Sequence, residues 1–297
     1  MCGIVGLFLK DQNLQPELGT YLADMLVKMS DRGPDSAGMA LYSKSLQFDM
    51  KLTLKFEPAV RKQDLQAILD KDLKNKSDVK LRGSHVVICF SKSDYDVVLD
   101  CITQFNSVAC VMSKGEVIEI FKEVGSPRNF VDHFQISGFH GTHGIGHTRM
   151  ATESAVTTSG AHPFSTAFDQ CLVHNGSLSN HNGIRRKLLA DGMKFETDND
   201  SEVAATYLSQ KITSGSSLRD ALNQSLDDLD GFFTFVVGIK NGFGVLRDRI
   251  ACKPAVLAET DQYVAFGSEY RALTNLPNIN LAKVWEPEPA TVYFWTH

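Results

Sequence analysis

The chain has 297 residues, 43% of them hydrophobic, and carries a formal net charge of −5. Its length is enough to bury a large core in one or two domains. The acidic balance, together with the lack of any run of lysine or arginine, argues against binding to nucleic acid or to a membrane surface.

The chain also lacks the sequence signals of export. No apolar stretch reaches the roughly 18 residues that a transmembrane helix needs, and the N-terminus lacks the basic region of a signal peptide. The six cysteines show no paired CxxC spacing, and most lie in apolar surroundings. Such cysteines are typical of buried free thiols in a reducing compartment. The sequence therefore predicts a cytoplasmic protein that does not span a membrane.

The first predicted element is a short buried strand, the apolar run Ile4 to Leu9, directly behind a cysteine. Removal of Met1 would leave Cys2 as the N-terminal residue, with a thiol and a free α-amino group on one residue. An α-amino group has a pKa of about 7.7–8.0, so near neutral pH part of it is an unprotonated base. Nucleophile and general base would then lie together. The alternative is that Cys2 is simply an early residue of the strand.

The next segments alternate between helix, loop and strand. Helical spacing of apolar residues predicts a helix over 16–29, and glycine, proline and aspartate at 30–38 predict a fixed turn, for which a purely structural role is the alternative. Residues 39–43 are predicted to form a strand that returns to the first. Between about 45 and 135, charged helical stretches alternate with short β-rich runs, which indicates an inserted α+β subdomain.

Residues 138–152 are rich in glycine, histidine and threonine, and the histidines in and around this region raise the possibility of a metal site. Their spacing fits no common zinc pattern, and there is no HExxH helix or suitable cysteine partner. We therefore predict neither a metal site nor a bound cofactor in this chain. The histidines are His133, His140, His143, His147 and His162.

Two later segments each allow a structural and a functional interpretation. An apolar strand runs into Asn175-Gly176, which is typical of a hairpin-type turn but would also aim an amide and a backbone N–H at one point, as an oxyanion hole requires. The acidic segment 196–202 precedes a helix. It could cap that helix, or one of its carboxylates could face a ligand.

The C-terminal part is predicted to be rich in β-strands, apart from a helix that begins near Ser216. Asn241-Gly242 is a hairpin signal between two of these strands. Strands are predicted over 232–239, 243–247, 254–257 and 263–267, followed by a short helix over 270–273.

A series of short motifs occurs in a fixed order along the chain. They are Cys2-Gly3-Ile4-Val5-Gly6, Asp31-Arg32-Gly33-Pro34-Asp35-Ser36, Gly146-His147-Thr148-Arg149, His162-Pro163-Phe164, His174-Asn175-Gly176, Asp200-Ser201-Glu202, Arg247-Asp248 with Lys253-Pro254, and Gly267-Ser268-Glu269. In this order they resemble the class II glutamine amidotransferases, whose glutaminase domains are N-terminal-nucleophile hydrolases. The resemblance covers residues 1–44 and about 138–275.

The resemblance implies a role for each candidate site residue. Cys2 would attack the side-chain amide of L-glutamine, giving a γ-glutamyl thioester and ammonia. Asn175 and Gly176 would form the oxyanion hole. Arg149 would bind the substrate α-carboxylate, for which its planar fork is well suited, and Asp200 would bind the α-ammonium group. His147 would be a packing residue or support the site from behind.

The resemblance also implies the fold and the partners. The implied fold is α+β, a four-layer αββα sandwich of two largely antiparallel sheets within a single domain over 1–297, with 45–135 inserted. The later part of the insert, 121–139, resembles the small stand-alone amidotransferase subunits related to glutamate synthase, including those of N-methylglutamate synthase. We therefore expect a hetero-oligomer in which separate synthase subunits, carrying FMN and an iron–sulfur cluster, use the ammonia.

Two other functions remain alternatives at this point. The chain could be another N-terminal cysteine hydrolase that acts on linear or cyclic amides, although Arg149 and Asp200 suit a free amino acid better. It could also be a non-catalytic or regulatory subunit that only binds glutamine.

Overall fold

The computed structural model describes residues 2–105, 107–150 and 156–297. Its strands are β1 (Gly3–Leu9), β2 (Ser36–Tyr42), β3 (Met50–Glu57), β4 (Asp78–Arg82), β5 (His85–Phe90), β6 (Val108–Gly115), β7 (Ile118–Val124), β8 (His143–Arg149), β9 (Cys171–Leu178), β10 (Gly231–Ile239), β11 (Gly242–Arg247), β12 (Val256–Glu259), β13 (Tyr263–Gly267), β14 (Lys283–Trp285) and β15 (Val292–Thr296). Its α-helices are α1 (Leu18–Val27), α2 (Lys62–Asp72), α3 (Tyr95–Thr103), α4 (Pro127–Phe134), α5 (His181–Ala190), α6 (Asp200–Thr213) and α7 (Leu218–Asp228).

The strands form antiparallel sheets. The large sheet has the strand order β14-β12-β13-β1-β8-β2-β7, and the small sheet has the order β15-β11-β10-β9. A further sheet, the inserted sheet, has the order β4-β5-β3-β6. Strand β1 lies in the interior of the large sheet and pairs with β13 on one side and β8 on the other.

The apolar run in β1 is explained by burial on both of its faces. Ile4 and Phe8 point into the core between the large and small sheets, whereas Val5, Leu7 and Leu9 point to the opposite face, where α1 packs. Side chains alternate between the two faces of a strand, so a strand covered on both faces is apolar throughout. The predicted buried strand is therefore confirmed.

Helices cover the outer faces of both sheets. Leu22 and Leu26 of α1 pack on the large sheet, and Val203 of α6 and Leu222 of α7 pack on the small sheet. The order of layers is helix, sheet, sheet, helix, so the predicted four-layer αββα sandwich is confirmed. None of the helices in the described part of the chain is both long and apolar enough to cross a membrane.

The inserted sheet has its own small core, formed with α2 and α3. The predicted insert over 45–135 extends too far on its C-terminal side. Strand β7 pairs with β2 in the large sheet, with Phe121 opposite Met39, and Phe130 of α4 packs in the core on that sheet's helical face. The inserted sheet and its helices therefore occupy only residues 50–115.

Candidate active site

The site is built where β1 begins and β8 ends. Gly3 lies opposite Thr148 in the antiparallel ladder between these strands, so Cys2 and Arg149 come to the same end of the large sheet. Cys2 is partly buried, and Arg149 is only 7% exposed.

Three side chains from distant parts of the chain hold the beginning of β1. The Arg32 guanidinium donates through Nε to the Cys2 carbonyl at 2.9 Å and pairs with Glu269. The Ile4 N–H donates to the Ser268 hydroxyl at 2.9 Å. The hydrogen bond from Arg32 lowers the pKa of Glu269, so this carboxylate stays ionised beside its partner. These contacts fix the backbone on both sides of Gly3.

Of the turn predicted over 30–38, residues 36–38 belong to β2, and the loop over 30–35 passes directly against the end of β8. A β-carbon at Gly33 would lie 2.5 Å from the backbone nitrogen of Arg149, so glycine is required for this approach. The Asp35 N–H also donates to the Arg149 carbonyl, at 3.1 Å. The predicted fixed turn therefore forms a wall beside Arg149.

Asn175 reaches Cys2 from the small sheet. Its side-chain amide donates to the Cys2 carbonyl at 3.2 Å. The interpretation of Asn175-Gly176 as a turn is wrong, because β9 continues to Leu178 and Gly176 pairs with Phe233 of β10. Gly176 has φ +152°, and a β-carbon there would lie 1.9 Å from the Phe232 carbonyl oxygen. Glycine is needed for this close contact inside a strand.

Asp200 is the first residue of α6 and is attached to the same strand, β9. Its carboxylate accepts the Leu178 N–H at 3.0 Å, while the Asn199 side chain caps the helix by accepting the Ser201 N–H at 2.8 Å. Burial alone would raise the pKa of Asp200. The neighbouring His174 and the Leu178 N–H outweigh this effect and lower the pKa to about 2. Asp200 is therefore an ionised carboxylate at neutral pH.

A buried group of histidines lies behind these residues. The rings of His147 and His162 stack with centroids 4.0 Å apart. The Ser201 hydroxyl lies 2.8 Å from His162 Nε2 and 2.9 Å from His174 Nδ1. Burial lowers the pKa of His147 to about 3 and that of His162 well below its usual value. Sequence reasoning assigned His147 to packing but missed that Ser201 joins two of these histidines.

The described residues contain no group of three or more His, Cys, Asp or Glu side chains arranged to hold a metal ion. The residues that the sequence singled out are nevertheless brought together. Cys2, Arg149 and Asn175 lie at one end of the sandwich. Gly176 follows Asn175 along β9, and Asp200 is attached to β9 through the Leu178 N–H.

The buried histidines predict that the fold loses stability in weak acid. Burial lowers the pKa of His85, His143 and His147 to about 3. Below pH 6.5 the unfolded chain takes up protons that the folded chain does not. The free energy of unfolding therefore falls as the pH falls from 6.5 towards 3, by about 2 kcal/mol per histidine at pH 5. Urea unfolding at pH 7, 6 and 5 measures this slope.

A single substitution identifies the source of the slope. His143 lies away from the candidate site and contacts the Ile239 carbonyl at 3.0 Å. His143→Gln should reduce the pH slope, since one buried neutral histidine is removed. His140→Gln, at an exposed position, is the control and removes no burial cost. Equal slopes in His143→Gln and the unmodified chain contradict the assignment.

Known proteins resemble this chain over nearly its whole length. A model of the glutamine amidotransferase domain matches residues 147–275. The glutamine amidotransferase-like protein GlxB of Rhizobium meliloti is 56% identical over 100% of this chain and 99% of its own length. A putative glutamine amidotransferase of Methanothermobacter thermautotrophicus is 32% identical over 99% of both chains.

A solved structure supports the fold. The glutamine phosphoribosylpyrophosphate amidotransferase of B. subtilis superposes with a TM-score of 0.64 at 18% identity, over 99% of this chain and 47% of its own. At that identity the likeness concerns the fold alone. It agrees with the sandwich described above, which is the fold of N-terminal-nucleophile amidotransferases.

Proposed function

The chain belongs to the class II glutamine amidotransferases, a family that uses glutamine as its substrate, and from this premise we propose that it hydrolyses L-glutamine with Cys2 as the nucleophile. The reaction yields L-glutamate and ammonia. It takes place at the end of the sandwich where Cys2, Arg149 and Asn175 lie.

The reaction proceeds in two steps through a thioester. After removal of Met1, the α-amino group of Cys2 accepts the thiol proton while the sulfur attacks the γ-carbonyl carbon of glutamine. The C–S bond forms, the C–N bond breaks, and the departing amine takes that proton and leaves as ammonia. Water then attacks the thioester, which releases glutamate and restores the thiol.

Asn175 and Gly176 stabilise the oxyanion of each tetrahedral intermediate. A side-chain amide has two N–H donors. In Asn175 the side-chain amide donates to the Cys2 carbonyl at 3.2 Å, so one N–H holds the amide beside the nucleophile and the second serves as the donor to the oxyanion oxygen. Such an arrangement needs no reorganisation during the reaction, so it favours the transition state over the bound substrate.

Arg149 and Asp200 select a free amino acid. The guanidinium of Arg149 matches a carboxylate with two parallel hydrogen bonds, and Asp200 offers a negative charge to the α-ammonium group. Because the pKa of Asp200 is about 2, this charge is present throughout the neutral range. An amide that has neither an α-carboxylate nor an α-ammonium group would lose the contacts with Arg149 and Asp200.

The observation that supports this function most directly is the contact between Asn175 and Cys2. It joins the residue proposed as nucleophile, on the large sheet, to the residue proposed as oxyanion donor, on the small sheet. A purely structural role for Asn175 does not require its amide to lie beside Cys2.

A glutamine-analogue diazo-ketone tests the nucleophile and the substrate together. We expect the intact mass of the purified chain to show loss of Met1 and a single adduct that maps to Cys2. We also expect the chain to release glutamate and ammonia from glutamine. The control substrate is an amide of the same length without the α-amino group, which should be hydrolysed far more slowly.

Four outcomes contradict the proposal. An adduct on another cysteine or retention of Met1 excludes Cys2 as an N-terminal nucleophile. Equal rates with the control amide favour a general amide hydrolase. Absence of both labelling and hydrolysis, also in the presence of partner proteins, favours a non-catalytic glutamine-binding subunit.

We further propose that the ammonia is used on separate synthase subunits, which carry the FMN and the iron–sulfur cluster. Two observations on chain length support the use of separate subunits. The relatives from R. meliloti and M. thermautotrophicus match over 99% of their own lengths, so they are about as long as this chain, whereas the B. subtilis enzyme is about twice as long as the matched part. A chain that stays monomeric when mixed with its co-encoded synthase proteins contradicts this assignment.

A further inference from the structure

Two partly buried ion pairs join the inserted sheet to the large sheet. Lys51 and Lys55, both on β3, reach across to β7. Lys51 pairs with Glu119 at 2.6 Å and Lys55 pairs with Glu123 at 3.2 Å. The two pairs are four residues apart on each strand and resemble each other in chemistry. They differ in the further residues that each pair contacts.

The Lys55–Glu123 pair is extended by hydrogen bonds to Thr158. Lys55 Nζ donates to the Thr158 hydroxyl at 2.9 Å, and that hydroxyl donates to the Glu123 carboxylate at 2.9 Å. The Ser84 hydroxyl, at the turn between two inserted strands, donates to the other oxygen of Glu123 at 2.6 Å. Lys51 instead contacts only the Ser43 carbonyl, at 2.7 Å, besides Glu119 among the hydrogen bonds of the described residues.

Thr158 belongs to a turn, residues 157–161, that is held by hydrogen bonds within it and by one from β7. The Gly160 N–H donates to the Thr157 hydroxyl at 3.1 Å, and the Ala161 N–H donates to the Thr158 carbonyl at 3.2 Å. Buried Lys122 of β7 donates to the Ser159 carbonyl at 3.1 Å. Thr158 and Lys122 therefore hold this turn together, Thr158 through its contacts with Lys55 and Glu123 and Lys122 through the Ser159 carbonyl.

The turn over 157–161 also contacts Arg149, the arginine that is proposed to bind the substrate. Arg149 Nη1 donates to the Gly160 carbonyl at 3.4 Å, and the Asn199 amide, next to Asp200, lies 3.5 Å from the same oxygen. The path from the inserted sheet to Arg149 therefore runs through Lys55, Thr158 and Gly160. Hydrogen bonds in such a partly buried network reinforce one another and resist displacement.

We propose that Lys55 is a positioning residue through which the inserted sheet fixes the Arg149 guanidinium for glutamine binding. This rests on the proposed function, in which Arg149 binds the α-carboxylate. In this arrangement a displacement of β3 against β7 would reach the substrate site through Thr158 and Gly160.

The test compares Lys55→Met with Lys51→Met in the full chain. Lys55→Met should raise the KM for glutamine about tenfold, as expected for the loss of one charge-assisted link, and change kcat by less than about twofold. Lys55→Arg, which keeps the charge and the donors, should restore most of the affinity. Lys51→Met is the matched control. It removes an ion pair that is more deeply buried, and its KM should equal that of the unmodified chain.

Thr158→Val provides a second variant if Lys55→Met does not fold. It removes the hydroxyl but keeps the shape of the side chain and the Lys55–Glu123 pair. It should raise KM in the same way. Equal KM values for Thr158→Val and the unmodified chain, or equal increases in Lys51→Met and Lys55→Met, overturn the proposal.

The outcomes separate this inference from the proposed function. Glutamine hydrolysis by the unmodified chain, with no change in Lys55→Met or Thr158→Val, contradicts the positioning role alone. No hydrolysis by the unmodified chain, in its complex as well as alone, contradicts the proposed function. Glutamine affinity measured by calorimetry in a Cys2→Ala background still decides the role of Lys55 in that case, because it does not require turnover.

Discussion

Cys2→Ala should abolish glutamine hydrolysis while leaving glutamine binding intact. Removal of a covalent nucleophile costs about 10⁴-fold or more in kcat, because the remaining groups stabilise a reaction that has lost its attacking atom. The α-carboxylate and α-ammonium contacts of Arg149 and Asp200 do not involve the sulfur. The dissociation constant of glutamine, measured by calorimetry, should therefore stay close to that of the unmodified chain.

The matched control for this substitution is Cys252→Ala. Cys252 is an exposed free thiol, whereas Cys2 is partly buried at the start of β1. Loss of a surface thiol should affect neither hydrolysis nor binding. A Cys2→Ala chain with normal activity, or one whose complex with its partners is fully functional, favours the non-catalytic alternative instead.

The parts of the fold that the sequence predicts best are those whose local pattern and environment agree. The run Ile4 to Leu9 is apolar because both faces of β1 are covered. The hairpin that Asn241-Gly242 predicts joins β10 to β11, with Asn241 in the turn and Gly242, the first residue of β11, paired with Ile239. In each case the residues that carry the signal are also the residues that the structure constrains.

The extent of the insert could not be predicted because it depends on which strand becomes the neighbour. Residues 118–124 read as an ordinary strand after a turn, and nothing within them distinguishes the inserted sheet from the large sheet. Packing decides which of the two sheets this strand joins. Ile118 and Ile120 enter the core between the sheets of the sandwich, and Phe121 enters the core with α1 and α4 on the opposite face.

Two edge strands were missed for a related reason. Strands β14 and β15 lie at the ends of the large and small sheets and are only partly buried. An edge strand has one partner, so it needs neither a long apolar run nor strict alternation. Short, partly exposed segments of this kind resemble loops in sequence.

For the candidate site too, some features can be predicted from the sequence and others cannot. Cys2, Arg149, Asn175 and Asp200 stand in short motifs, so sequence comparison can suggest them. The residues that support them, such as Glu269 beside Arg32 and Ser201 beside His174, also stand in these motifs but lie far apart in the sequence. Their contacts depend on tertiary structure, and a single sequence has no signal that connects them.

At Asn175-Gly176 the sequence correctly indicates a need for glycine, but the turn inferred from it is wrong. Glycine is required at 176, as the turn interpretation assumed, but because the Phe232 carbonyl approaches it within a strand. The backbone therefore stays extended to Leu178 and keeps Asn175 in register with Thr234 of β10. That register places the amide of Asn175 beside Cys2, so the departure from a turn is what brings the two residues together.

Asn175→Ala should lower kcat by about 10²- to 10³-fold, the loss that follows removal of one oxyanion donor, with little change in KM. The donor acts on charge that develops only in the transition state, so ground-state binding through Arg149 and Asp200 should persist. Steady-state kinetics with glutamine measure both quantities.

The contact between Asn175 and the Cys2 carbonyl requires a second measurement, because Asn175→Ala also removes a support of the nucleophile. Alkylation of Cys2 by iodoacetamide involves no oxyanion, and Arg32 still holds the Cys2 carbonyl in the variant. If Asn175 stabilises the oxyanion, alkylation should proceed at nearly the normal rate while hydrolysis is lost. If both rates fall in parallel, Asn175 instead positions Cys2, and the Gly176 N–H is left as the donor that the mechanism depends on.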